Sequence, residues 1–335
     1  MGIAFSRESL DHCPVCNSSN IRVWLSDCTD YLHRLTDERF SYSICNDCRV
    51  YFCSDRPIEE DISLFYPLDY APYTTVACNA SDAQHSKSLI ARYLHRQKRK
   101  SIKRYLEEPQ AKLAEDIYGL YTDPEKGRLI DFGCGSAVFL NYARENGWNT
   151  TGVDFNLKTI DDVKANGHVG FVFTDDSSLD GIADDSADVI RLNHVLEHLY
   201  QPEHVLRLLI RKLKPGGTMR IAVPNPAGIS ATEFGAHWKG LDCPRHVILY
   251  PPDTLVAFLR KLGVGDISVV HESGPRDYVI SECVREVVRE GRLGEVPTEA
   301  AADDKHLMLA AARKTVSAAA AGCGDRIHVT ATKTI

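Results

Sequence analysis

Three observations predict an α/β fold class. From Arg128 onward, short apolar strand-like runs alternate with helical patterns, the sequence signature of β-α-β units around a mainly parallel sheet. One of these runs, Leu129-Ile130-Asp131-Phe132, passes directly into the small-residue turn Gly133-Cys134-Gly135-Ser136 and then into a helical pattern. Ahead of this region stand two Cys-x2-Cys pairs in a segment with no sustained helical period, which predicts a small metal-stapled module.

The chain has 335 residues, 44% hydrophobic and 25% charged, which suits a soluble globular protein of at most two domains and excludes wholesale disorder or a fibrous repeat. It contains no apolar run near the ~18 residues that a membrane span requires. The start, Met1 to Cys13, lacks the features of a secretory signal, so the expected location is the cytoplasm. In that setting the eleven cysteines point to thiols or metal ligands instead of disulfides.

Taken in order, residues 1–80 read as a zinc-binding module followed by a tyrosine-rich linker, and residues 81–126 as a helical connector. In the connector Leu89, Ile90, Tyr93, Leu94, Ile102, Tyr105 and Leu106 recur at helix-like intervals, with Pro109 as the stop. Residues 127–335 form the sheet domain. Its expected strands are Leu129–Phe132, Thr151–Val153, Gly170–Phe173, Val189–Leu192, Met219–Val223, Ile267–Val270 and Ile327–Thr332, giving seven. Its expected helices are Val138–Asn146, Thr159–Ala165, Glu203–Leu213, Asp253–Leu262 and Asp277–Arg292, placed on both faces of a Rossmann-like sheet. The stretch Leu213–Thr218 reads as a helix end, a turn and a further strand, and the Ala-rich run Thr315–Ala321 as a loop or short helix before the last strand.

The glycine turn lets a backbone approach a ligand closely, and the helix after it offers unpaired N–H groups. Nineteen residues beyond Gly135, at the end of the next strand, Asp154 can accept both hydroxyls of a ribose. A dinucleotide site is the competing reading, but it favours a third glycine where Val138 stands. Asp175-Asp176 follow the third strand within reach of an adenine amino group. The run Asp188 to Leu199 passes from a strand into a helix, and the Lys214-Pro215-Gly216-Gly217 turn comes about twenty residues later.

These blocks, in this order from Leu129 to about Asn225, resemble the class I S-adenosylmethionine-dependent methyltransferases. The resemblance implies that family's seven-stranded methyltransferase sheet and S-adenosylmethionine as cofactor. It implies that Asp131, Gly133, Gly135 and Ser136 surround the methionine part of the donor, that Asp154 holds the ribose, that Asp175 or Asp176 meets the adenine, that Asn193 lines the pocket, and that Cys134 and Phe155 also belong to the cofactor site. Ala137 departs from the family pattern, which usually has a third glycine there.

Cys13-Pro14-Val15-Cys16 and Cys45-Asn46-Asp47-Cys48, with 28 residues between them, can close four thiolates around Zn2+, a shell with no open position and hence a structural one. His12, Cys28 and Cys53 are nearby substitutes. The linker after the knuckles, through Tyr66, Tyr70 and Tyr73, is similar to that of zinc-module methyltransferases encoded with glycan and natural-product pathways. Those three tyrosines, with Trp238 and Arg245 from the stretch after the fifth strand, are the candidate substrate contacts; packing between domains is an equal reading of the tyrosines.

Methyl transfer to a hydroxyl or carbon acid also needs a base, and His194, His198 and His246 are the candidates. On a helix His194 and His198 would share a face, though without an evident third ligand for a metal. Residues 1–80 carry six Arg and no Lys against twelve acidic residues, which repels phosphates and argues for a small-molecule acceptor such as a sugar nucleotide. An RNA methyltransferase with a zinc module remains open through the basic stretch Lys87–Arg104. So does a noncatalytic binding protein on the same fold.

Overall fold

The computed structural model describes residues 4–67, 100, 103–108, 126–292 and 304–334. Strands β5 (Arg128–Phe132), β6 (Asn149–Asp154), β7 (Val169–Val172), β8 (Ala187–Asn193), β9 (Leu213–Pro224), β11 (Val264–Glu272) and β12 (Arg326–Lys333) make one seven-stranded sheet. Its order is β11-β12-β9-β8-β5-β6-β7, with β12 antiparallel to both of its neighbours and the remainder parallel. The strand order reverses between β5 and β8, so the chain leaves a crevice beyond their carboxyl ends, where ligands of open α/β sheets bind.

Helices α1 (Val138–Glu145), α2 (Leu157–Ala165), α3 (Pro202–Lys212), α4 (Ile229–Phe234), α5 (Pro252–Lys261), α6 (Pro275–Arg289) and α7 (Lys305–Ala320) account for the helical patterns among the described residues. Two expectations change. The Lys214-Pro215-Gly216-Gly217 segment lies inside β9, which runs without a break from Leu213 and absorbs Gly216 at φ +77°. The Ala-rich run is the end of the 16-residue α7, capped by the Asp304 side chain; alanine has the highest helix propensity, and nothing in that run breaks the helix. The expected helices of 81–106 and the Pro109 stop lie largely outside the described residues.

The N-terminal residues form a second, antiparallel sheet of β1 (Arg7–Ser9), β4 (Tyr51–Pro57), β3 (Phe40–Cys45) and β2 (Ile21–Cys28). The edge of β4 that does not face β3 takes β1 along its second half. Along its first half it takes β10 (Ile248–Leu249), a strand from the stretch after β9. A strand from the chain between β9 and α5 thus completes the N-terminal sheet. The two sheets also share apolar packing: Cys13, Cys45, Val50 and Phe52 belong to the same buried cluster as Ile130, Phe132, Ile190 and Leu192.

Candidate functional site

The apolar residues of β5 bury Asp131 completely at the strand's end. One of its oxygens accepts from Arg191 Nη1 at 2.8 Å, and the other, Oδ2, has no partner. Burial raises the carboxyl's pKa, against which the Arg191 charge pulls down. Arg191 is itself held over the Phe139 ring, with its guanidinium carbon 3.8 Å from the centroid. The turn that follows uses φ +71° at Gly133 and +51° at Gly135. A Cβ on Gly133 would lie 2.3 Å from Val195, so only glycine fits between the turn and the end of β8. Ala137 sits at φ −67°, a conformation open to any residue, so the missing third glycine leaves the loop unstrained.

Asp154 closes the other side of the turn. Its Oδ2 accepts from the Gly135 N–H and its Oδ1 from the Asn156 N–H, both at 2.9 Å, which aims the carboxylate back across the loop. Burial raises its pKa and the backbone N–H groups lower it. Beside it Phe155, half-exposed, forms a mutual edge-to-face trio with Phe132 and Phe173 at centroid distances of 5.1–5.7 Å. Phe155 is among the residues expected from the sequence to meet the cofactor; Phe173, packed against it, is not. Asp175 instead caps a 3-10 turn by accepting from Ser177, and Asp176 pairs with His204 at 2.6 Å on an exposed turn, so both carboxylates already have partners.

His194, at the end of β8, does not start an α-helix. It adopts φ +56°, and residues 196–198 form a single 3-10 turn, so His194 and His198 do not share a helical face. His194 Nδ1 lies 3.2 Å from Glu197 Oε1. Burial, then the charge of Arg326, lowers its pKa to about 3, which keeps it neutral and leaves it a weak base. His198 falls to about 4, mainly through burial and then through His246.

His198 and His246 meet instead across 4.6 Å between ring centroids. The His198 Nδ1–H donates to the Arg245 carbonyl at 3.0 Å and lies 2.9 Å from the Tyr66 hydroxyl. The His246 Nδ1–H donates to the Gly240 carbonyl at 2.8 Å. A carbonyl can only accept, so Nδ1 carries a proton in each ring and, in the neutral tautomer this selects, Nε2 is the nitrogen with the lone pair. For His246 that atom is 3.8 Å from Glu197 Oε1 and 3.8 Å from Asp242 Oδ2.

Glu197 is not among the candidate residues read from the sequence. The structure buries it fully and gives its Oε2 no partner. Its backbone carbonyl accepts from Val247 N–H, whose own carbonyl accepts from Cys53 in β4.

Two candidate substrate contacts have other roles. All five guanidinium N–H groups of the fully buried Arg245 are engaged, by both oxygens of Asp30, both of Asp242 and the Phe65 carbonyl. It therefore ties the module to the loop and has no donor left for a phosphate. Trp238 is buried in the apolar cluster with Phe234, Leu241 and Tyr42, because its ring fills a core position. Tyr66 does face the site, while Tyr70 and Tyr73 lie outside the described residues.

The four module cysteines converge. Cys13 and Cys48 sulfurs are 3.5 Å apart, as are Cys16 and Cys45, and all four lie within 4.8 Å of one another. The two knuckles have the same turn: Asn17 N–H returns to the Cys13 carbonyl and Arg49 N–H to that of Cys45, with φ +58° and +66°. The spacing approaches the edge of about 3.8 Å of a tetrahedron with zinc–sulfur bonds of about 2.3 Å. Cys28 and Cys53 are buried elsewhere, around Tyr42.

A protein-family profile described as "Methyltransferase domain" matches residues 90–269, more than half of the chain. Among curated proteins, the 27-O-demethylrifamycin SV methyltransferase of Amycolatopsis mediterranei is 29% identical over 138 residues, 38% of this chain and 50% of that protein. The chain thus spans half the length of that relative. The ubiquinone biosynthesis O-methyltransferase of Xanthomonas oryzae is 27% identical over 166 residues, covering 46% of this chain and 70% of that one. A solved S-adenosylmethionine-dependent methyltransferase from Archaeoglobus fulgidus superposes at a TM-score of 0.44 with 20% identity, over 69% of this chain and 97% of that one. No helix among the described residues is long and apolar enough to cross a membrane.

Proposed function

The chain belongs to the class I S-adenosylmethionine-dependent methyltransferase family, and on that premise we propose that it transfers a methyl group from S-adenosylmethionine to an oxygen of a small-molecule acceptor. The observation that carries the donor assignment is the pair of buried carboxylates, Asp131 and Asp154, on either side of the Gly133–Ser136 turn. The partnerless Asp131 Oδ2 suits the donor's ammonium group, and Asp154 suits the ribose hydroxyls. The exposed face of Phe155 offers the adenine a stacking surface. Asn193, Cys134 and Ser136 complete the lining.

When bound, S-adenosylmethionine supplies a methyl group on a positively charged sulfur. The chain's task is to hold the acceptor oxygen in line with it and to have that oxygen ionised. The cluster of Glu197, His198 and His246, with Tyr66 at its rim, is the place for that ionisation. It stands one short turn beyond Val195, the residue that packs on Gly133 of the donor loop. The O-methyltransferase names of the curated relatives support oxygen as the acceptor atom. The acidic N-terminal module and the small-molecule rifamycin relative support a small acceptor, of sugar-nucleotide or natural-product type. The four module cysteines hold a structural Zn2+ in this reading, and the location is the cytoplasm.

Titration calorimetry with S-adenosylmethionine tests the proposal. Uptake of one equivalent is expected, weakened about 10- to 100-fold in Asp154→Ala through the loss of charged hydrogen bonds. No uptake by folded wild-type protein would refute it.

A further inference from the structure

Glu197, His198 and His246 come from a turn after β8 and a loop before β10. Yet one ligand-capable atom from each lies within 4.8 Å of the other two. Three features set this cluster apart from ordinary packing. Both imidazoles are pinned through Nδ1–H to backbone carbonyls, the arrangement that fixes tautomer and ring direction in metal-ligating histidines. Glu197 is wholly buried, one of its oxygens has no hydrogen-bond partner, and its only basic neighbours within ion-pair distance among the described residues are His194 and His246. The single charge of Arg245 is shared between Asp242 and Asp30, so no cationic side chain is left for the buried Glu197 carboxylate.

We propose that Glu197, His198 and His246 form a divalent-cation site, separate from the four-cysteine site, that binds and polarises the acceptor oxygen. Ligand atoms on a tetrahedral cation with bonds of about 2.0–2.2 Å stand about 3.3–3.6 Å apart, so the 3.8 Å between His246 Nε2 and Glu197 Oε1 needs only about half an ångström of closure or less. Two imidazoles and one carboxylate suit Zn2+, Mn2+ or Co2+, and three protein ligands leave positions open for the acceptor.

The inference rests on the methyl-transfer reading for the acceptor's place and says how the acceptor is ionised. The cation lowers the hydroxyl's pKa and the proton leaves to solvent. The oxygen's lone pair then forms the new O–C bond as the methyl C–S bond breaks, the pair staying on sulfur. In this scheme the two histidines are ligands, not bases.

The test is a Co2+ titration of the full-length protein followed by optical absorption, since cobalt bound by cysteines shows thiolate charge transfer and cobalt at this cluster does not. One equivalent without thiolate charge transfer is expected in wild type. Its affinity should fall at least about 100-fold in both Glu197→Gln and His198→Ala, because losing a ligand costs more than the 10- to 100-fold typical of losing an outer partner. The absence of such an equivalent in wild type overturns the site, as does an equivalent that both variants retain. Donor uptake by calorimetry on the same samples is read separately: uptake without cobalt binding removes the cation site and leaves the methyltransferase reading standing, while no uptake removes the reading itself.

Discussion

At Arg245 five buried N–H donors meet five acceptors on three segments: Asp30 in the module, Phe65 at its end and Asp242 in the loop. Lysine keeps the charge but offers three donors from one point, so at least two acceptors lose their partners. Arg245→Lys is expected to lower stability by about 2 kcal/mol or more. It should also cut turnover, because the Arg245 carbonyl orients His198, while leaving donor affinity within about twofold; thermal unfolding, kinetics and calorimetry read the three effects. Ala137→Gly makes the opposite case. With φ already at −67°, glycine adds only unfolded-state freedom, so a loss of about 0.4–1 kcal/mol with unchanged donor affinity is expected. Asp131, Asp154 and the four cysteines were legible because strand ends and short spacings place them. Asp30 and Glu197 were not: the Asp30–Arg245 contact joins residues 215 apart in sequence, and the exposure or burial of an acidic side chain follows from such pairings alone.

At the scale of elements, the seven strands could be read from apolar runs because a parallel sheet covered on both faces leaves few polar interruptions. What periodicity missed is where backbone geometry departs from a regular element, as at the left-handed His194 and in the unbroken β9. The contacts made by α6 and β12 were equally out of reach. Asp277 at the start of α6 is buried, and Arg326 from β12 and Lys239 from the loop after α4 converge on it. Burial alone would raise its pKa, but those two cations overcome it and hold the carboxyl far below its ordinary 3.8. A depressed carboxylate adds stability that is fully present above the unfolded pKa and is lost as pH falls toward the folded one. Asp277→Asn is therefore expected to destabilise the protein by about 3 kcal/mol near neutral pH. The gap to wild type should narrow steadily below about pH 4. Melting curves from pH 7 to 3 check this, and a gap independent of pH would show that the lost contribution is packing.

Over the whole molecule, the module and the sheet domain share one apolar cluster and a strand pairing, so neither has a complete core alone. The chain from Glu197 through Val247 to Cys53 carries backbone hydrogen bonds straight from the Glu197–His198–His246 cluster into β4. Two units joined in this way should unfold together, because opening β4 exposes Val247 and the inner face of Phe52 as well as the cysteine knuckles. A single cooperative transition is expected for wild type. In Cys45→Ser, where one of the four converging thiolates becomes a weaker oxygen ligand, that same transition should move down by several degrees, with turnover falling in parallel. Scanning calorimetry separates this from the alternative of a module that melts by itself. A new low-temperature peak beside an unmoved main transition, with turnover intact, would mean that the Glu197–His198–His246 cluster stands without its module, and the pairing of β4 with β10 would then be incidental to the site.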